Sequence, residues 1–161
     1  MNNGALMLLK DEVEMLRRVP IFARIAPAKL KLLAFTSDRV SYRAGQDLFH
    51  QGDTGDAAYV VLSGTADIIV DSPAGEIKVA DVELNALVGE IAILCDVSRT
   101  ATVRATSSLE VLRISKDHFL KLLSDFPEMA VEIMRVLADR LNHTTTELTA
   151  ARSRQPEPTI Q

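Results

Sequence analysis

Between residues 39 and 114 the chain falls into seven short β-prone runs, at 39–42, 47–50, 58–63, 65–71, 76–82, 100–106 and 108–114. The separators read AGQD, QGDTGD, SGTA, SPAGE and TSS, clusters of the residues that supply turn geometry. Many short strands at this spacing predict a β-barrel or a sandwich.

Helices are expected on both sides of these strands. Leu6, Leu9, Val13 and Leu16 recur at 3-4-3 spacing over residues 5–18, an amphipathic pattern that stops before Pro20. Pro27 opens a second short helix carrying Leu30, Leu33 and Ala34. After the strands, 116–124 reads as a short helix and 127–150 as a long one with Ile133, Met134, Leu137, Leu141 and Leu148 on one stripe. The polar, proline-containing end, RSRQPEPTIQ, is expected to be disordered. The predicted organisation is an N-terminal helix over 1–19, a β-domain over 20–126, a lid or dimerisation helix over 127–150 and a tail over 151–161.

Composition excludes several function classes. A length of 161 residues suits one domain with flanking helices, and 47% apolar residues is ordinary for a globular core. Net charge is −4 and the basic residues are scattered, so the electropositive face that dominates DNA binding is not expected. No run approaches the roughly 20 apolar residues that span a bilayer. The single cysteine, Cys95, cannot form an internal disulfide and reads as a small core residue. The apolar run at residues 5–9 is too short for a signal peptide, which together with the lone cysteine predicts a cytoplasmic protein.

One segment interrupts the strand pattern: LVGEIAILCDVSRTATV, residues 87–103. Gly89 precedes one or two helical turns, whose unpaired N–H groups favour an anion. Arg99 can reach the same place from the following loop, and its planar guanidinium pairs with two phosphate oxygens. Thr100 adds a hydroxyl. An ionised Glu90 can only accept hydrogen bonds, which suits sugar hydroxyls. Taken singly, Glu90 is a helix-start charge and Arg99 a loop salt-bridge partner. Taken together they imply a ligand with one phosphate and one sugar.

This segment resembles the phosphate-binding cassette of the cyclic nucleotide-binding domain family. QGDTGDAAYVVLSGTADI (51–68) is similar to the family's glycine-bearing turns. The resemblance covers about residues 20–150 and implies an α+β, mainly β fold: an eight-stranded jelly-roll β-barrel flanked by N-terminal helices and a long C-terminal helix. It implies that Glu90 takes the ribose 2′-hydroxyl, Arg99 the cyclic phosphate, and Thr100 a phosphate oxygen or the purine, with backbone groups from Gly89, Ile91 and Ala92. ADRLNHTTTELTA (138–150) is similar to the ligand-sensing helix of the catabolite activator family. That likeness implies that Thr144 and Thr145 reach the adenine, one of them across a two-fold dimer.

The expected function is therefore a stand-alone cyclic nucleotide sensor, cAMP favoured over cGMP. No enzyme activity, metal or cofactor is expected, and the partners are the nucleotide, a downstream protein and a second copy through the long helix. No helix-turn-helix segment is expected after that helix, in keeping with the expectation of no nucleic-acid face. Three other readings stay open: a metal-dependent jelly-roll enzyme, which needs more histidines on neighbouring strands than His50 alone provides; an interaction module on the same fold; and a fragment of a larger cyclic nucleotide-regulated protein.

Overall fold

The computed structural model describes residues 11–154. Helix α1 is described over 11–17 and leads into a 3-10 turn, Pro20–Phe22. Helix α2 follows at Pro27–Thr36. Eight strands come next: β1 Asp38–Tyr42, β2 Asp47–Phe49, β3 Ala57–Ser63, β4 Ala66–Ser72, β5 Gly75–Val82, β6 Leu87–Val88, β7 Thr102–Ala105 and β8 Leu109–Ser115. Helix α3, Glu90–Leu94, sits between β6 and β7; α4, Lys116–Asp125, and α5, Pro127–Arg154, close the chain. No helix among the described residues is long and apolar enough to cross a membrane.

The strands form two four-stranded antiparallel sheets, ordered β1-β8-β3-β6 and β2-β7-β4-β5. The closed barrel expected from the family resemblance is therefore corrected to two stacked sheets. Strands β6 and β2, two and three residues long, offer too few ladder bonds to join one sheet to the other. Strand β6 is also the element that the sequence pattern does not reveal.

Strand β3 shows why these residues fold this way. AAYVVLS is apolar on both faces, unlike a half-solvated strand, because both faces are covered. Ala57, Tyr59 and Val61 face the core between the sheets, with Val88, Val103 and Val111. Ala58, Val60 and Leu62 face a second core built from the helices: Leu16, Phe22, Leu30, Leu33, Phe119, Met129 and Ile133. Of the predicted contact residues of the first two helices that lie in the described part, Leu16, Leu30, Leu33 and Ala34 are buried, and Val13 is partly buried against the same core.

Helix α5 divides its apolar stripe. Ile133 is buried on the domain, whereas Met134, Leu141 and Leu148 are 60%, 66% and 54% exposed. The helix runs four residues beyond its expected end at 150; the rest of the expected tail, and Leu6 and Leu9, lie outside the described residues.

Candidate functional site

Two turns fix the backbone of Arg99. Its N–H donates to the Asp53 carbonyl at 2.7 Å, and its own carbonyl accepts from Gly52 at 2.8 Å. The QGD turn thus holds the arginine from across the sheet. On the other side, Gly89 adopts φ +84, the left-handed conformation that glycine tolerates and a side chain resists. A Cβ there would also lie 2.7 Å from Arg99 Nη1. Gly89 therefore lets the chain turn from β6 into α3 and gives the guanidinium its place.

The Arg99 side chain is buried. Nη1 donates to the Gly89 carbonyl and Nη2 to the Ala57 carbonyl, each at 2.7 Å. The guanidinium carbon lies 4.1 Å from the centre of the Phe49 ring and 5.9 Å from that of Tyr59, within cation–π range. Asp56 approaches to 3.7 Å, but it is mostly exposed. Burial lowers the arginine pKa from its ordinary value, since desolvation penalises the cation. Nε is buried with no hydrogen-bond partner among the described residues.

Glu90, at the first position of α3, is only 3% exposed. Burial pushes its carboxyl pKa up, against a smaller opposing pull from Arg140. Arg140, halfway along α5, donates from Nη1 to Glu90 at 3.1 Å and from Nη2 to the Leu87 carbonyl at 3.0 Å. One arginine thus ties the long helix to both ends of the β6–α3 junction.

Gly89, Glu90, Ile91, Ala92, Arg99 and Thr100 line one cavity of about 80 Å³, together with Phe49 and Arg140. All six cassette residues expected from the sequence meet there. Ala92 packs against Gly55, where a Cβ would collide with it. A larger hollow of about 700 Å³ adjoins this cavity, sharing Ile68, Val88 and Arg140, and is bounded by β5 and α5. Thr144 lines that hollow. Thr145 is exposed on the same helix, outside the lining of either space.

Sequence reasoning missed Phe49, Tyr59 and Arg140. Arg140 lies four residues before Thr144, and that spacing places both on one helix face; this signal was available. Cys95 is corrected from a core residue to an exposed one: it caps α3, which is five residues long and keeps one side in solvent. Among the described residues, no group of His, Cys, Asp and Glu side chains is arranged to hold a metal ion.

The chain belongs to the cyclic nucleotide-binding domain family, whose model matches residues 39–126. An uncharacterized NTE family protein of Mycobacterium bovis is 32% identical over 139 residues, 86% of this chain and 23% of that protein. Lysophospholipase NTE1 of Chaetomium globosum is 27% identical over 118 residues, 73% of this chain and 8% of its own length. The chain thus spans under a quarter of these curated relatives. Among solved structures, the Thermus thermophilus catabolite activator protein matches with a TM-score of 0.72 at 30% identity, covering 83% of this chain and 63% of that one.

Proposed function

We propose that this chain is a cyclic nucleotide sensor with a preference for cAMP over cGMP. The observation that carries the proposal is the buried Arg99, whose Nε has no partner, in one cavity with the buried Glu90 carboxylate. A buried cation with an unsatisfied donor is costly unless an anion completes it. A cyclic phosphate supplies that anion, and the ribose 2′-hydroxyl can donate to Glu90. Gly89, Ile91 and Ala92 add backbone groups, and Thr100 a hydroxyl. The purine then occupies the adjoining hollow against Thr144.

In this reading the signal passes through Arg140. A sugar hydroxyl that engages Glu90 competes with Arg140 for the same carboxylate, so the bound and free states differ in how α5 is held. Helix α5 then offers a changed surface to a downstream protein. Met134, Leu141 and Leu148, exposed at seven-residue spacing, support pairing with a second copy, which would bring Thr145 of the partner subunit to the purine. The role is regulatory and not catalytic, with no cofactor, in the cytoplasm, and without direct contact to nucleic acid or membrane. The length of the relatives supports a second arrangement, in which the same sensor is one module of a longer regulated chain.

Calorimetric titration with cAMP, cGMP and 5′-AMP tests the proposal. Saturable binding is expected, tightest for cAMP and weakest for the acyclic nucleotide. Absence of binding at millimolar cAMP and cGMP would leave a domain of this fold that answers to a protein partner alone.

A further inference from the structure

A second hollow, of about 330 Å³, shares Glu90 and Arg140 with the cassette cavity and is otherwise lined by different residues. The 3-10 turn with the residues before it, the β5–β6 loop, and the α5 face that carries Ile133, Val136, Leu137 and Arg140 wall it, with Leu87 of β6 and Glu90 of α3. Those four α5 positions fall at i, i+3, i+4 and i+7, a single helical stripe.

Backbone hydrogen bonds hold the turn and the loop. Phe22 N–H donates to the Val19 carbonyl at 2.9 Å and closes the turn. In the loop, Asn85 takes the left-handed φ of 69, its N–H donates to the Val61 carbonyl, and Val61 N–H donates to the Ala86 carbonyl, both at 3.0 Å. The hollow is open to solvent on one side, and its volume falls within the roughly 300 to 1,000 Å³ of small-molecule sites.

The chemistry of the lining is apolar with a net positive edge. Val19, Ile21, Leu84, Val136 and Leu137 supply hydrocarbon. Arg18 and Arg140 stand against one carboxylate, Glu90, which Arg140 already engages. Arg18 is exposed at this edge. Among the described residues no carboxylate pairs with Arg18, and such a cation beside hydrocarbon walls fits a monoanion with an apolar body; a sugar or a polyphosphate would leave its hydroxyls or charges unpaired there.

We propose that this cavity binds a small aliphatic carboxylate, its chain between α5 and the 3-10 turn and its head at Arg18. Leu87, Glu90 and Arg140 form its inner wall and also belong to the cassette region, so an occupant would lie directly behind the nucleotide site. The inference stands on the cavity alone and does not require the nucleotide reading.

The test is calorimetry of the whole chain, without nucleotide, using sub-micellar octanoate, decanoate and the uncharged 1-octanol. Decanoate is expected to bind about fifteenfold tighter than octanoate, since each of its two additional methylenes, when buried, contributes a factor of about four. Octanol is expected to bind more weakly than octanoate. Arg18→Glu, an exposed change, should weaken decanoate at least fivefold, and Val136→Phe, which fills the cavity, should abolish its binding. Thr144→Ala, on the other hollow, should leave it unchanged. No saturable decanoate binding at millimolar concentration would overturn the proposal, as would octanol binding as tightly as octanoate or indifference to Arg18→Glu. A loss in Thr144→Ala equal to that in Arg18→Glu would place the carboxylate in the large hollow and overturn it as well. Arg18→Glu decides the matter even if Val136→Phe does not fold.

Discussion

The two ends of the site are built in opposite ways. At the cassette, Arg99 and Glu90 are each 3% exposed, and Arg99 is held by two carbonyls and an aromatic ring. At the helix, Thr144 and Thr145 lie on an exposed stretch of α5 whose apolar residues Leu141 and Leu148 have no covering among the described residues. The first end is preorganised, so binding there costs little ordering. The second has few contacts to lose, which suits an element that must move. Arg140 is the bridge, since its partners are the Glu90 carboxylate and the Leu87 carbonyl on the rigid side.

Removing the centre of the rigid end should have the largest effect. Arg99→Ala deletes the buried cation and leaves the Gly89 and Ala57 carbonyls without their donor. Losing a charge-assisted pair with a phosphate costs about 3 kcal/mol or more, roughly a hundredfold in affinity. Titration of the folded variant with cAMP measures this directly. An affinity near that of wild type would show that the cassette is not the anchor, and the contrast between the two ends would then have no functional content.

Glu90→Gln is expected to have a moderate effect and separates charge from shape. The amide retains an acceptor oxygen for a sugar hydroxyl but loses the ionic part of the Arg140 contact, so cAMP affinity should fall about tenfold. Its stability effect has a definite sign. Burial raises the folded-state pKa of Glu90 above the ordinary 4.5, so its favourable contribution is complete below that value and is lost as pH rises through the raised one. Glutamine does not titrate. The melting temperature of the variant relative to wild type should therefore increase from pH 4 to pH 7, by a few degrees for each 1 kcal/mol involved. A difference that is constant with pH, or that falls, would mean that Glu90 is not destabilised by its burial.

What the sequence reveals follows the range of the interactions. Strand β3 and the cassette are legible because their patterns are local: a run apolar on both faces, and a glycine, a carboxylate and an arginine within eleven residues. The two-residue strand β6 is too short to show a period. Phe49 and Arg140 join the site from 50 positions on the far side of Arg99 and of Glu90 respectively, and only the stacking of the sheets and the docking of α5 bring them in. The failure of the barrel to close is likewise a matter of how many ladder bonds two short strands can make.

The exposed end should yield the smallest effect, and one of a different kind. Thr144→Ala combined with Thr145→Ala removes two hydroxyls from an exposed helix and leaves Arg99 and Glu90 untouched. A single hydrogen bond to a neutral group contributes about 1 kcal/mol, so cAMP affinity should fall only severalfold. Alanine is also the better helix former, so the helix itself should not weaken. If these hydroxyls read the purine, the loss should fall on cAMP more than on cGMP, and the ratio of the two affinities should move toward one. Parallel titrations of both nucleotides on the variant give that ratio. An unchanged ratio with reduced affinity for both would mean that α5 covers the base without reading it, and base choice would then pass to β5, which forms the opposite side of the hollow.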